Sequence, residues 1–284
     1  MVFQATAAAP NSVGNFMQAI PITDQEFHQF QKLIHRLAGI NLSPAKKALV
    51  SGRLSRRLKQ HDLNSYGEYY RLLVSGKEPA EMQIAVDLLT TNETQFFREP
   101  KHFDFLRQQV EAFAKPGCMY RVWSAACSTG EEPYSIAMVL ADCLGDGPWE
   151  VVASDISTRA IEKARLGHYS LERAKKIPRN YLTSYCLRGI GRQKGTFLID
   201  KTLRGRVQFM QINLNAPLPR IGEFNAIFLR NVMIYFAMET KQLVVTRMLP
   251  LLKPKGCFIV GHSESLNGVV DGLNLVTPSI YRKS

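Results

Sequence analysis

The stretch Tyr120-Arg121-Val122-Trp123-Ser124-Ala125-Ala126-Cys127-Ser128-Thr129-Gly130-Glu131-Glu132-Pro133 reads as a strand, a turn of small residues and the start of a helix. Small residues at such a turn let the backbone approach a ligand closely. Proline at the first helical turn sacrifices no hydrogen bond. A dinucleotide-binding turn would carry GxGxxG, with a pyrophosphate on the helix N-terminus. Here alanines stand where two of those glycines would be, and Glu131 and Glu132 occupy the helix start. Carboxylates repel phosphate and suit a cationic ligand, although they also complement the helix dipole. The turn alone leaves both readings open.

Downstream of this stretch, Val151-Val152-Ala153, Val207-Gln208-Phe209-Met210, Ala226-Ile227-Phe228-Leu229 and Cys257-Phe258-Ile259-Val260 are further strand-like runs. Helical patterns over 133–144, 157–165 and 238–252 lie between several of them. Alternation of strand and helix predicts βαβ units and a mostly parallel sheet. Ligands on such a sheet bind at the carboxyl ends of the strands, near the switch point. The second run ends in Ser154-Asp155, 25 residues after Gly130. An acid there is the usual partner of ribose hydroxyls, or else a cap for the helix that begins near Ser157. The two strand ends together favour an adenosyl ligand bearing positive charge, as S-adenosylmethionine does. Segment 166–206 breaks the alternation: the glycines of Gly189-Ile190-Gly191-Arg192-Gln193-Lys194-Gly195, followed by Thr196-Phe197-Leu198-Ile199, predict a small antiparallel insertion.

Upstream, the pattern is helical. Thr23-Asp24-Gln25-Glu26 is a capping box, and its helix should stop at Gly39. Ser43-Pro44, Ser65-Tyr66-Gly67-Glu68 and Pro79 open three more helices. The expected organisation is therefore a flexible arm at 1–22, a helical domain at 23–90, a linker helix at 91–115 that contributes to the site, and an α/β domain at 116–284 carrying the insertion at about 166–206.

The chain has 284 residues, of which 45% are hydrophobic, and a net charge of +12, which suits a large globular domain plus a smaller one. No apolar run reaches the roughly 20 residues of a membrane span, and the uncharged first 22 residues lack the basic start of a signal peptide. Five scattered cysteines without CxxC spacing argue for a reducing compartment and against a disulfide frame or a cysteine zinc site. Residues 165–206 hold eleven Lys/Arg against Glu172 and Asp200, and Lys46, Lys47, Arg53, Arg56, Arg57 and Lys59 cluster at 44–60 without an acid. Such fields attract nucleic acid, anionic lipid or acidic protein, and charge alone does not choose among them.

Three stretches narrow the choice: Thr90-Thr91-Asn92-Glu93-Thr94-Gln95-Phe96-Phe97-Arg98-Glu99-Pro100, the turn Ala125–Ser135, and Arg230-Asn231-Val232-Met233-Ile234-Tyr235-Phe236. Together with Gly261-His262-Ser263-Glu264 they resemble the CheR-type chemotaxis receptor methyltransferases, from about Thr23 to Tyr281. The resemblance implies an all-helical N-terminal domain before a doubly wound class I methyltransferase sheet with a three-stranded antiparallel insertion. It also implies transfer of a methyl group from S-adenosylmethionine to receptor glutamates, with S-adenosylhomocysteine as product and no metal. The family's cofactor contacts fall on Asn92, Thr94, Arg98, Glu132, Asp155, Asn213, Leu214, Arg230 and Asn231. Asp155 is expected at the ribose, and Asn213 and Leu214 at the adenine. Arg98 and Tyr235 are the candidates for handling the acceptor. Phe96 and Phe97 are read as packing residues, and His262 as a satisfied structural histidine.

The implied partners are the cytoplasmic helical bundle of chemoreceptors and a receptor C-terminal peptide, the enzyme acting as a monomer in the cytoplasm, recruited to receptor arrays without membrane insertion or nucleic acid. Arg188, Gly189, Gly191 and Gly195 match the glycine-rich turn of peptide-binding members, whereas Leu198 departs from their pattern of an arginine. Two rival readings are a nucleic-acid methyltransferase and a non-enzymatic cofactor-sensing adaptor. Basic charge and a helical front domain fit the first, but no Asn/Asp-Pro-Pro-Tyr/Phe stretch and no Pro-Cys nucleophile is present.

Overall fold

The computed structural model describes residues 20–114 and 117–284, so most of the expected arm at 1–22 lies outside the described residues. Helix α1 (Asp24–Ala38) opens on the capping box: Thr23 Oγ1 accepts from the Glu26 N–H at 3.2 Å, and the Glu26 carboxylate accepts from the Thr23 N–H at 2.8 Å. It stops at Gly39, φ 71°, the left-handed end that glycine adopts without cost. A 3-10 turn over Pro44–Lys46 leads into α2 (Lys47–Gln60), followed by α3 (Tyr66–Val74) and α4 (Pro79–Leu89). Phe30, Leu54, Tyr66 and Tyr69 fill the centre of this bundle. Glu81 is buried with them, taking the Tyr69 hydroxyl at 2.6 Å and Arg57 Nε at 2.8 Å.

The linker helix is shorter than expected. Residues 91–100 are irregular, and α5 occupies Lys101–Phe113. Pro100 disfavours helical backbone at the residue before it, and both Phe97 (φ 50°) and Glu99 (φ 59°) are left-handed. Phe96 and Phe97 pack as expected, buried against Tyr169 and Phe197 and against Phe103 and Tyr181 respectively.

The remainder runs β1 (Tyr120–Ser124), α6 (Glu131–Leu144), β2 (Trp149–Asp155), α7 (Thr158–Leu166), β3 (His168–Ser170), α8 (Arg179–Tyr185), β4 (Cys186–Arg188), β5 (Thr196–Ile199), α9 (Lys201–Arg204), β6 (Val207–Gln211), β7 (Phe224–Leu229), α10 (Met238–Met248), β8 (Leu252–Val260), β9 (Leu273–Thr277) and β10 (Ile280–Lys283). The main sheet has the order β6-β2-β1-β7-β8-β10-β9. Its first five strands are parallel, and β10 and β9 add antiparallel pairs at one edge. The order reverses between β1 and β7, which defines the switch point. Successive strand residues serve opposite faces. Trp123, Val152, Ile227, Leu229 and Phe258 share one core with the N-terminal helices and α10, while Val122, Val151, Ala226, Phe228 and Ile259 share the other with α5, α6 and the insertion.

The insertion holds the expected three antiparallel strands, in the order β3-β5-β4. It also contains α8 and α9, which the turn-and-strand reading does not anticipate, and the terminal hairpin β9–β10 is equally unforeseen.

Candidate functional site

One cavity lies over the carboxyl ends of β1, β2, β6 and β7, where the switch point directs attention. Asn92, Thr94, Arg98, Glu132, Asp155, Asn213, Leu214, Arg230, Asn231 and Tyr235 all line it. Its opposite wall comes from the α1–α2 connection, with Ile40, Asn41, Leu42 and Lys46. Sequence reasoning missed this wall, because nothing local in it marks a binding surface. Backbone hydrogen bonds hold it in place: the Asn41 N–H donates to the Tyr235 carbonyl at 2.7 Å, and Ile40 forms a bridge with Phe236. Asn213 Nδ2 donates to the Leu37 carbonyl at 2.7 Å, so part of the side chain expected at the adenine edge also ties the helical domain to the sheet.

Asp155 lines the cavity, and two backbone donors hold its carboxylate there. Oδ1 accepts the Ser157 N–H at 2.9 Å, and Oδ2 accepts the Ser128 N–H at 2.8 Å. Ser157 itself caps α7 through the Ala160 N–H. Burial pushes the Asp155 carboxyl up, and these backbone donors oppose that push. The turn that precedes α6 reaches left-handed backbone at Ser128 (φ 49°) and Gly130 (φ 96°). A Cβ on Gly130 would lie 2.8 Å from the Ala164 methyl and 3.0 Å from its Cα, so only glycine closes this turn against α7.

The two glutamates at the helix start part company. Glu131 does not line the cavity. Fully buried, it accepts from Thr129 Oγ1 at 2.7 Å and forms an ion pair with Arg173, and so anchors the insertion to α6. The turn left open whether these acids face a ligand, and Glu131 does not. Glu132 does face the cavity, accepting from Ser124 Oγ at 2.7 Å and from Arg230 Nη1 at 2.9 Å. Burial pushes its carboxyl up against the charge of Arg230.

Arg230 is the centre of this network. Its other terminal nitrogen donates to the Arg98 carbonyl and, at 3.0 Å, to Glu99 Oε2. Its Nε is buried without a partner among the described residues, and an acceptor group on a ligand would satisfy it. Burial alone would raise Glu99, but Arg230 beside it holds the carboxyl below the ordinary carboxylate range. Glu264 supports the neighbouring loop, accepting the N–H groups of Asn231 at 2.8 Å, Ile234 at 3.2 Å and Gly261 at 2.7 Å. Neither Glu99 nor Glu264 had been given a role, although both stand inside the quoted motifs. Arg98 is half-buried at the rim, its recorded hydrogen bond a 3.3 Å contact to the Glu93 carbonyl.

Residues 25–90 match the family model described as CheR methyltransferase, all-alpha domain, and residues 92–281 match CheR methyltransferase, SAM binding domain. The chain belongs to the CheR methyltransferase family. It is 42% identical over 274 residues to a chemotaxis protein methyltransferase of Salmonella typhimurium, covering 94% of this chain and 93% of that one. The Escherichia coli protein of the same description is 42% identical over 270 residues, covering 94% and 93%. Chemotaxis protein methyltransferase 2 of Pseudomonas aeruginosa is 45% identical over 251 residues, covering 87% and 89%.

Within this CheR chain, Arg188 lies exposed on β4, at the edge of the small sheet. Gly191 (φ 55°) and Gly195 (φ 90°) shape the turn between β4 and β5, and a Cβ on Gly189 would meet the Gln193 carbonyl oxygen at 2.1 Å. The basic cluster at 44–60 is partly committed inside the protein. Lys47 pairs with Asp24 at 2.7 Å, Arg57 with Glu81, and Arg53 donates to the Thr90 carbonyl at 2.9 Å. Lys46, Arg56 and Lys59 remain exposed. Among the described residues no helix is long and apolar enough to cross a membrane.

Proposed function

We propose that this protein transfers the methyl group of S-adenosylmethionine to glutamate side chains of chemoreceptors, forming methyl esters and S-adenosylhomocysteine. The observation that carries this reading is the convergence of all ten expected residues on one cavity at the sheet's switch point. Asp155 is assigned to the ribose hydroxyls, Asn213 and Leu214 to the adenine, and Asn92, Thr94 and Asn231 to the rest of the cofactor. Arg230, with its unsatisfied Nε, suits the cofactor carboxylate, while Glu132 suits its positive charge.

Bound S-adenosylmethionine supplies an electrophilic methyl group. A glutamate acceptor has an ordinary pKa of about 4.3, so it arrives ionised and needs no general base. The carboxylate oxygen's lone pair forms the new O–CH3 bond as the C–S bond breaks, and that electron pair stays on a neutral sulfur. Charge is annihilated, so water exclusion by the two cavity walls favours the step. Alignment of donor and acceptor can contribute about 7–11 kcal/mol. Arg98, at the rim and lightly committed, orients the acceptor by its planar fork, and Tyr235 flanks it. Neither removes a proton, and no metal is required by this displacement.

The finer reading is that the exposed cations of α2 dock on the acidic cytoplasmic bundle of a receptor, and that β4 takes a receptor C-terminal peptide as an added strand. Such a tether raises local substrate concentration without altering the chemistry. The enzyme then works as a monomer from the cytoplasm, recruited to receptor arrays. Incubation with labelled cofactor and receptor-bearing membranes tests the core proposal: the transferred label should leave as methanol in mild alkali. Alkali-stable label, as expected of N-methylation, would refute carboxyl transfer.

A further inference from the structure

Beside the cofactor cavity, but outside it, Glu99, His102 and His262 bring one carboxylate and two imidazoles together, with ligand atoms within 4.8 Å of one another. His262 was expected to be a satisfied structural histidine, yet it is exposed, and its ring stands edge-on to that of His102 at 5.1 Å. His102 is buried to 1% exposure, and its Nδ1 has no hydrogen-bond partner among the described residues. Its other nitrogen, Nε2, meets Ser279 Oγ at 2.7 Å. With the Ser279 hydroxyl donating to the Pro278 carbonyl, the His102 tautomer that carries its hydrogen on Nε2 leaves Nδ1 free as a ligand. Nδ1 lies 3.4 Å from Glu99 Oε2. A metal cation held between them would give Nδ1 the partner it lacks.

We propose that Glu99, His102 and His262 form a binding site for a divalent transition-metal cation of the zinc class. Tetrahedral zinc with nitrogen and oxygen ligands at about 2.0–2.2 Å sets neighbouring ligands roughly 3.3 Å apart, close to the observed carboxylate–imidazole distance. Two imidazoles and one carboxylate favour such metals over magnesium or calcium, and three protein ligands leave a fourth position for water. Ser279 on the far nitrogen of His102 is the outer partner that orients a ligating histidine. His262, being exposed, can turn its ring to complete the set.

The test is calorimetric titration of tag-free full-length protein with zinc chloride, repeated with cobalt(II) to read coordination by its d–d absorption. Wild type should bind about one zinc per chain, and cobalt should show four- or five-coordinate bands without thiolate charge transfer. His262→Ala, an exposed change that leaves the fold alone, should weaken zinc binding by about tenfold or more, and Ser279→Ala by about tenfold. Absence of binding, an unchanged affinity in His262→Ala, or a thiolate band pointing to the cysteines would each overturn the site.

Discussion

Asp155 accepts the N–H of Ser128 on one oxygen and that of Ser157 on the other, so its removal strips two buried donors as well as the proposed ribose contact. Orphaned donors cost about 1–3 kcal/mol each. Asp155→Ala should therefore lower the unfolding midpoint and weaken S-adenosylhomocysteine binding by about tenfold or more. Calorimetry that returned wild-type affinity would remove the ribose assignment. Arg98 is the converse case. Its recorded bond is one 3.3 Å contact to a carbonyl, so Arg98→Ala should keep its melting temperature while turnover on receptor membranes falls by roughly a hundredfold, about 2.7 kcal/mol of transition-state alignment. Near-normal rates would place the acceptor elsewhere. That Asp155 and Arg98 would share one cavity was legible in the sequence, the first from its place at a strand end and the second from the family resemblance. The role of Glu131 was not legible, since its partner Arg173 lies 42 positions away and only the folded insertion brings the two together.

Helices α1 to α4 were legible as elements because their caps are local signals: the Thr23 box, Gly39, Ser65 and Pro79 each act within four residues. Strands β1, β2, β6, β7 and β8 were legible because buried parallel strands are continuous apolar runs. Strand β9 was not, since Leu275 and Val276 are exposed on the sheet's edge and no burial pattern selects them. Helix α8 has only seven residues, and its burial rests on Tyr181 stacked on Phe97, a contact invisible to local periodicity. At this scale the α2–α3–α4 bundle also carries a pH dependence through Glu81. Burial alone would raise its carboxyl, but Arg57, Tyr69 and His61 hold it below the ordinary value. An acid so depressed contributes stability that is complete above its unfolded pKa of about 4.3 and is lost as pH falls through the lower folded value. Thermal unfolding should show wild type well above Glu81→Gln at pH 7, with the gap closing on acidification below pH 4. A gap that stayed constant would show that the carboxylate's charge contributes nothing.

For the whole molecule, the two cavity walls belong to different parts of the chain, and one hydrophobic core runs from the N-terminal helices into the sheet. Ligand bound between such walls stabilises both together. S-adenosylhomocysteine at a hundred times its dissociation constant should add about 2.7 kcal/mol and raise a single calorimetric transition by several degrees. Two transitions, with only one of them shifted, would show that the helical domain takes no part in the site. Strand β1 lies between β2 and β7 in the sheet, yet β7 begins 104 positions after β1 does, at Phe224 against Tyr120. During translation at roughly 5–20 residues per second, the glycine turn and Asp155 leave the ribosome seconds before Arg230, Asn231 and their supporting Glu264. A growing polypeptide therefore carries half a pocket that no metabolite can brace, and it must survive proteases and misfolding until β7 and β8 have been made.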